Sequence, residues 1–476
     1  MNNYESLKTF LPLEYFKEIS KIPRGSGNEA KIADYLCEFA KSHGLEYFKD
    51  GANNVFIKKN ATQGRENEDA ILLQAHTDMV CEKNVSSDHD FMSEPIKLIF
   101  DGNILKADGT TLGADDGYGV AIIMAILSDA SVSHPRLECL FTSSEETGLV
   151  GASKFDYSMI SAKNMVNFDG AEEDTVIIGC CGGVRTEFTY PIVYEETSLP
   201  AYEISVRGLY GGHSGEDINK GRLNANTLMG KILGYVKERS PIRVAKISGG
   251  DKDNAIPREC DVTIVTSYPL CDIENEISSY ARSFLVADED KELTVQVKKS
   301  NTSRAFSEKA TLDLIKVLSI QNGVLQTRQT PPILPKMSRN LARTRTNEDN
   351  FSIGFSSRAY LEPDLNSSTS ELDSLAKEIG ATTLHHEGYP GWESPKDSPL
   401  ARAWAEAYCK KTNTSPEITL IHAGLECGII TSSVKGLTAI SVGCNVHDLH
   451  TPNETMEIDS FERIYRVALE FLKSFR

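Results

Sequence analysis

No apolar run in this sequence approaches the roughly 18 residues needed to span a bilayer. Met1 to Ser20 mixes Glu, Lys and apolar residues without the hydrophobic core of a secretory signal. Neither a membrane nor export is expected. Positive charge is also scarce: 50 Lys and Arg stand against 68 Asp and Glu, a net charge of −18. No basic cluster or aromatic-studded basic groove relieves that balance, so phosphate backbones are repelled and nucleic acid is not an expected partner. The 10 cysteines include no C-x-x-C pair and several sit in apolar segments, which reads as reduced, buried thiols. Short-period repeats and low-complexity tracts are missing as well. Together these absences describe a chain of the cytoplasm.

What is present is an ordinary globular composition, 40% hydrophobic and 25% charged, over 476 residues. That length exceeds what one hydrophobic core usually serves, so two domains are expected. Ala70 to Ala75 and Leu137 to Thr142 are continuous buried-strand patterns, and between them Val120, Ile123, Met124 and Leu127 recur at helical spacing. Strand, helix, strand indicates an α/β domain. A matching strand returns at Leu437 to Val442, followed by a terminal helix from Ile458 to Phe475. The middle of the chain alternates apolar and polar residues instead, as in Tyr202 to Arg207 and Cys260 to Thr266, with a helix over Leu223 to Val236. The expected organisation is a catalytic α/β domain with a mixed sheet between helical layers, split into 1–185 and 389–476, around an inserted α+β domain at 186–388.

Five short stretches carry the chemistry: His76-Thr77-Asp78, Gly113-Ala114-Asp115-Asp116-Gly117, Glu145-Glu146-Thr147-Gly148, Asn167-Phe168-Asp169-Gly170 and Asp448-Leu449-His450-Thr451-Pro452. Taken singly, each reads as a turn, a cap or a solvated acid. Together they fall at strand ends or a helix start of one alternating domain, the edge where sites gather in open α/β sheets. They offer two imidazoles and three carboxylates as ligands, with one carboxylate left over as a base. That inventory suits a pair of divalent cations activating a water. Spacing alone does not tell which of Glu145 and Glu146 is the ligand and which the base.

The order H-x-D, G-A-D-D-G, E-E-x-G, N-x-D-G and H-T-P-x-E resembles the di-zinc aminoacylase and carboxypeptidase superfamily. The fuller texts Ala114 to Gly119, Ser144 to Gly148, Ile421 to Gly428 and His447 to Pro452 resemble its aminoacyl-histidine dipeptidase branch, over essentially the whole chain. The resemblance implies two divalent metal ions, zinc first, with manganese or cobalt compatible with the same ligands. It makes Asp115 the bridging ligand, His76 and Asp169 the remainder of one metal site, and Glu146 and His450 the remainder of the other. Asp78 would orient the His76 imidazole, and Glu145 would be the general base that moves the proton of the attacking water to the leaving amine. The Asp115–Asp116 bond would be cis.

In the inserted domain, Gly211-Gly212-His213-Ser214-Gly215 resembles the family's lid turn, whose histidine hydrogen-bonds the oxyanion. Asn254 and Arg358 resemble substrate-binding residues of the same lid, Arg358 being suited to a dipeptide's C-terminal carboxylate. Gly424 matches a position whose backbone lines the substrate pocket. His447, the Cys180–Cys181 pair and His385–His386 carry no expected role. The implied activity is hydrolysis of dipeptides with a free amino terminus, Xaa-His dipeptides such as β-alanyl-histidine included. A tripeptidase or N-acyl amino acid deacylase on the same metal core, or an inactive binding protein, are the alternatives. A homodimer is the expected assembly, although an insertion of about 200 residues is large enough for one chain to supply both lid halves.

Overall fold

The computed structural model describes residues 10–329 and 331–476; the first nine residues, part of the segment read as lacking a signal core, lie outside them. The chain divides into two compact units. One runs up to Cys180 and resumes over Trp392–Leu420 and Leu425–Arg476; the other comprises Cys181–Gly391 and Ile421–Gly424. The second unit thus includes a short return, 421–424, in a stretch that the sequence reading gave to the catalytic domain. Among the described residues no helix is long and apolar enough to cross a membrane.

The first unit is built on a nine-stranded mixed sheet. Its strands lie in the order Glu46–Lys49, Val55–Lys59, Leu137–Thr142, Ile71–His76, Asn164–Gly170, Thr438–Gly443, Thr175–Cys180 and Trp392–Glu393, with Glu417–Ile421 pairing off this path. The central pairs are parallel: Ile71–His76 runs with both Leu137–Thr142 and Asn164–Gly170, and Thr438–Gly443 runs with the latter. Every residue of Ile71–His76 and of Leu137–Thr142 is buried, as a central parallel strand covered on both faces requires. Successive residues point to opposite faces. Phe168 meets Trp404 of helix Pro399–Thr412 edge-on, while Asn167 joins a polar group that reaches Glu426 of helix Glu426–Ser433. Helices therefore cover both faces.

Helix Ala114–Ser128 is buried all round from Gly117 to Leu127, the pattern of a helix inside a core. It lies so close to the sheet that a Cβ at Gly119 would sit 2.5 Å from Phe168 O. The sequence placed Asp115 at the start of this helix. In the fold Asp115 and Asp116 both have non-helical backbones, and it is Asp116 whose carboxylate accepts the Gly119 N–H at 3.2 Å. Asp116 is the capping acid, which leaves both oxygens of Asp115 free for other partners. The Asp115–Asp116 peptide bond is cis.

The second unit contains a repeat of topology. Strand Ala201–Arg207, helix Ala225–Lys237, strands Arg243–Gly249 and Cys260–Val265, helix Glu274–Arg282 and strand Thr294–Ser300 form one β-α-β-β-α-β module. Strand Gly182–Pro191, helix Glu308–Leu318, strands Pro335–Thr346 and Asn350–Ala359, helix Glu362–Ile379 and strand Thr382–His385 form another, with the first nested inside it. Each has the strand order fourth, first, third, second, and the two second strands pair through Ser248 with Arg345 and Gly249 with Thr344. One apolar core runs through both, from Ile204 and Leu228 to Phe355 and Leu372.

Candidate metal centre

The parallel strands of the first unit bring their candidate residues to one edge of the sheet. His76 is the last residue of its strand, Asp169 the last but one of Asn164–Gly170, and Glu145, Glu146 and His450 follow the ends of theirs. The two oxygens of Asp115 face different neighbours. Oδ1 is 3.0 Å from His76 Nε2, which is 3.6 Å from Asp169 Oδ1. Oδ2 is 3.1 Å from His450 Nε2, which is 3.1 Å from Glu146 Oε1. Donor atoms of Asp115, Glu146 and His450 all lie within 4.8 Å of one another, as do those of His76 with Glu145 and Glu146, and of His76 with Asp116 and Asp169. Glu145 therefore stands at the centre with the expected ligands and near enough to act as one.

The surroundings hold this arrangement from below. Asp78 is fully buried; its Oδ1 lies 3.5 Å from His76 Nδ1 and accepts the Glu145 N–H at 3.0 Å, and its Oδ2 accepts the Ser26 hydroxyl at 2.7 Å and the Glu146 N–H at 3.3 Å. One carboxylate thus fixes both an imidazole and the turn carrying the two glutamates. Arg24, also buried, donates to the carbonyls of Thr77, Asp78 and Gly113. Glu454 accepts the N–H groups of Leu112, Gly113 and Ala114 at 2.8, 3.0 and 2.8 Å. The His450 turn keeps Asp448 and His450 at positive φ, 54° and 61°, a region that residues with a Cβ enter rarely.

The charges are unbalanced. Burial pushes the carboxyls of Glu145 and Asp116 well above the usual range, and burial also raises those of Glu146 and Asp169, with Asp115 adding to the rise and the imidazoles opposing it. Burial opposes a proton on His76, yet hydrogen bonds with Asp115, Asp169 and Asp78 hold its imidazole well above 6.5; His450, against the same opposition, is pushed up to about 11 by Asp115 and Glu146. Asp115 drops, because its two imidazoles outweigh its burial, and Asp78 drops as well, held by His76, Ser26 and the Glu145 N–H. His76 Nδ1 and Glu146 Oε1 are buried, the first 3.5 Å from Asp78 and the second 3.1 Å from His450. Excess negative charge and mixed N and O donors within 4.8 Å of one another fit divalent cations.

Beneath the centre, Gln74 Nε2 and Thr142 Oγ1 each donate to Glu426 Oε2 at 2.6 Å, and Asn167 Nδ2 donates to Gln74 Oε1 at 2.6 Å. These buried residues tie together the strands that lead to His76, Glu145 and Asp169. Sequence reading assigned no role to Arg24, Ser26, Gln74, Asn167, Glu426 or Glu454. Asn167, Glu426 and Glu454 stand inside the motifs named above, and Arg24 and Ser26 share a Pro-Arg-Gly-Ser-Gly run.

The second unit gathers His213, Asn254, Arg358 and Gly424. The Ser214 N–H donates to Asn254 O at 2.8 Å. A Cβ at Gly215 would lie 3.2 Å from His213 Cε1 and 3.3 Å from Arg358 Nε, and one at Gly424 would lie 2.5 Å from Tyr389 Cε2. Arg358 is buried and donates to the Tyr389 hydroxyl at 2.8 Å. Burial works against its charge, but Tyr389, Cys181 and Glu216 hold it. His422, which the sequence reading quoted only as part of a motif, is 2.7 Å from the Ser338 hydroxyl and is pushed down to about 3 by burial and by Arg358 and His213.

Among residues given no role, His447 Nε2 is 3.1 Å from Glu457 and His385 Nε2 is 2.9 Å from Asp373. All ten cysteines are free thiols.

Residues 72–474 match peptidase family M20/M25/M40. The cytosol non-specific dipeptidase of Escherichia coli (strain K12) is 34% identical to this chain over 469 residues, 97% of this chain and 96% of that protein. The crystal structure of the aminoacylhistidine dipeptidase from Vibrio alginolyticus aligns with a TM-score of 0.86 at 30% identity, covering 100% of this chain and 98% of the other. The aminopeptidase PepT from Bacillus cereus shares the fold, with a TM-score of 0.57 at 16% identity over 97% of each chain. With residues 72–474 matched, the chain belongs to peptidase family M20/M25/M40.

Proposed function

We propose that this peptidase hydrolyses dipeptides with a free amino terminus, using two divalent cations, and that Xaa-His dipeptides such as β-alanyl-histidine are among its substrates. The observation that carries the reading is the division of the Asp115 carboxylate, Oδ1 toward His76 and Asp169, Oδ2 toward Glu146 and His450. A bridging ligand needs that geometry. His76, Asp115 and Asp169 would hold one ion, and Asp115, Glu146 and His450 the other. Bound there, zinc, manganese or cobalt would acidify a water and polarise the scissile carbonyl.

The remaining steps belong to the side chains. Glu145, raised by burial among carboxylates, has the basicity to take the proton of the attacking water and return it to the departing amine. Asp78 keeps the His76 ring in place and, through the two N–H groups it accepts, aims Glu145. His213 donates to the oxyanion, Arg358 pairs with the substrate's C-terminal carboxylate, and Asn254 and the Gly424 backbone complete the binding surface. The names of the E. coli and Vibrio relatives support dipeptides over tripeptides or N-acyl amino acids. A cytoplasmic location goes with the same reading. The paired modules of the second unit support a monomer sufficient for activity over the homodimer the sequence suggested; sedimentation of the metal-loaded chain decides this. A panel of Xaa-His dipeptides, tripeptides and N-acetyl amino acids tests the substrate class: dipeptides should be cleaved fastest, and a preference for N-acetyl amino acids would overturn the reading.

A further inference from the structure

The turn that carries His213 is fastened far more tightly than a surface loop. Strand Gly212–His213 pairs antiparallel with Ala255–Ile256, which roots the residue on one side. On the other, both main-chain groups of His213 are taken by a single residue: its N–H donates to Asp217 Oδ2 at 2.7 Å, and its carbonyl accepts the Asp217 N–H at 3.1 Å. Asp217 is held in turn by Arg222 NH1 at 3.1 Å and Lys220 Nζ at 2.7 Å. Arg222 also donates to Gly211 O at 2.9 Å and lies over the Tyr210 ring at 4.6 Å. A Cβ at Gly212, whose φ is 141°, would fall 2.4 Å from Asp217 Oδ2 and 2.3 Å from Arg222 NH1. The clamp therefore closes only over a glycine.

The ring of His213 reports what the clamp achieves. Its Nδ1 is 3.2 Å from the Glu216 backbone nitrogen, which can only donate. Nδ1 must then offer its lone pair, and the proton of the neutral ring sits on Nε2. Glu216 immediately precedes Asp217, so the residue that grips the His213 backbone also presents the amide that selects the tautomer. An Nε2–H stabilises a developing oxyanion, whereas a bare Nε2 would repel it.

We propose that Asp217 is a positioning residue that fixes His213 as an Nε2–H donor for the hydrolytic step. This rests on the reading of His213 as the oxyanion donor. Asp217 touches neither substrate nor reacting atoms; it acts through the turn.

The test uses the full chain, loaded with zinc and labelled with ¹⁵N-histidine, the His213 signals being identified by their loss in His213→Ala. Wild-type protein should show Nδ1 unprotonated and Nε2 protonated; a protonated Nδ1 overturns the proposal whatever the variants do. In Asp217→Ala the two nitrogens should shift toward averaged values, and kcat for a dipeptide should fall at least about 10-fold with KM little changed, approaching the ~10²–10³ loss of a missing oxyanion donor. Asp217→Asn keeps an acceptor for the His213 N–H and should recover most of kcat. An Asp217→Ala enzyme with unchanged kcat and tautomer, while His213→Ala is slow, sinks the role of Asp217 alone. An unchanged kcat in His213→Ala sinks the oxyanion reading itself.

Discussion

Glu454 Oε1 accepts the backbone N–H of Ala114 at 2.8 Å, across 340 residues of sequence. The loop that carries His450 and Glu454 is thereby bonded to the loop that presents Asp115, and so joins two of the expected ligands. Glu454→Ala removes the acceptor for three buried N–H groups without touching any donor atom of the centre. Its metal affinity should fall by about 10–100-fold, the usual effect of losing a residue that orients ligands. Competition against a chelator measures this, with circular dichroism confirming the fold; an unchanged affinity would show that the Asp115 loop holds itself.

Glu145 and Glu146 differ by one residue and by their neighbours, and substitution should separate them. Glu145→Ala should lower kcat by ~10²–10⁴, the contribution of a positioned general base, and keep both ions. Glu146→Ala, which removes the carboxylate 3.1 Å from His450, should lose one ion. Metal analysis of the two variants beside their turnover decides the assignment, and the reverse result would exchange the roles.

The ligands were legible because each sits in a short motif at a strand end, where the α/β fold converges. Their supports were not. Arg24 and Glu454 act on main-chain carbonyls and amides, and a bond to the backbone leaves no mark on the sequence of its partner. Asp115 and Asp116 are adjacent acids that spacing cannot distinguish; only the break in helical backbone shows that Asp116 caps while Asp115 faces outward. The nested modules of the second unit were hidden because they repeat a topology, not residues, and one is inserted within the other. Gly424 shows the same limit: placed in the catalytic segment by sequence, it falls with Ile421–Gly424 in the second unit.

Arg358 should matter only to substrates that end in a carboxylate. Arg358→Ala should raise KM for a dipeptide by roughly 10–100-fold, matching about 1.5–3 kcal/mol for a hydrogen bond to a charged group. For the corresponding dipeptide amide the same substitution should change little. Equal losses on both substrates would point to a structural role for the buried guanidinium.

Glu426 gives the metal-stripped protein a pH signature. Burial raises its carboxyl from 4.5 to about 8, so between these values the folded chain holds a proton that the unfolded chain releases. Its contribution to stability is therefore lost as pH rises from about 4.5 to 8, at a slope of at most ~1.4 kcal/mol per unit. Glu426→Gln should flatten the fall of melting temperature across that window. A parallel fall in both proteins would mean that Glu426 is ionised throughout.

The central claim is that hydrolysis depends on a pair of ions at the cluster around Asp115. Dipeptide turnover, followed while zinc is returned to protein stripped by a strong chelator, tests it most directly. Activity should be absent without metal and should rise to a plateau at about two ions per chain. Turnover that survives thorough stripping would contradict the account.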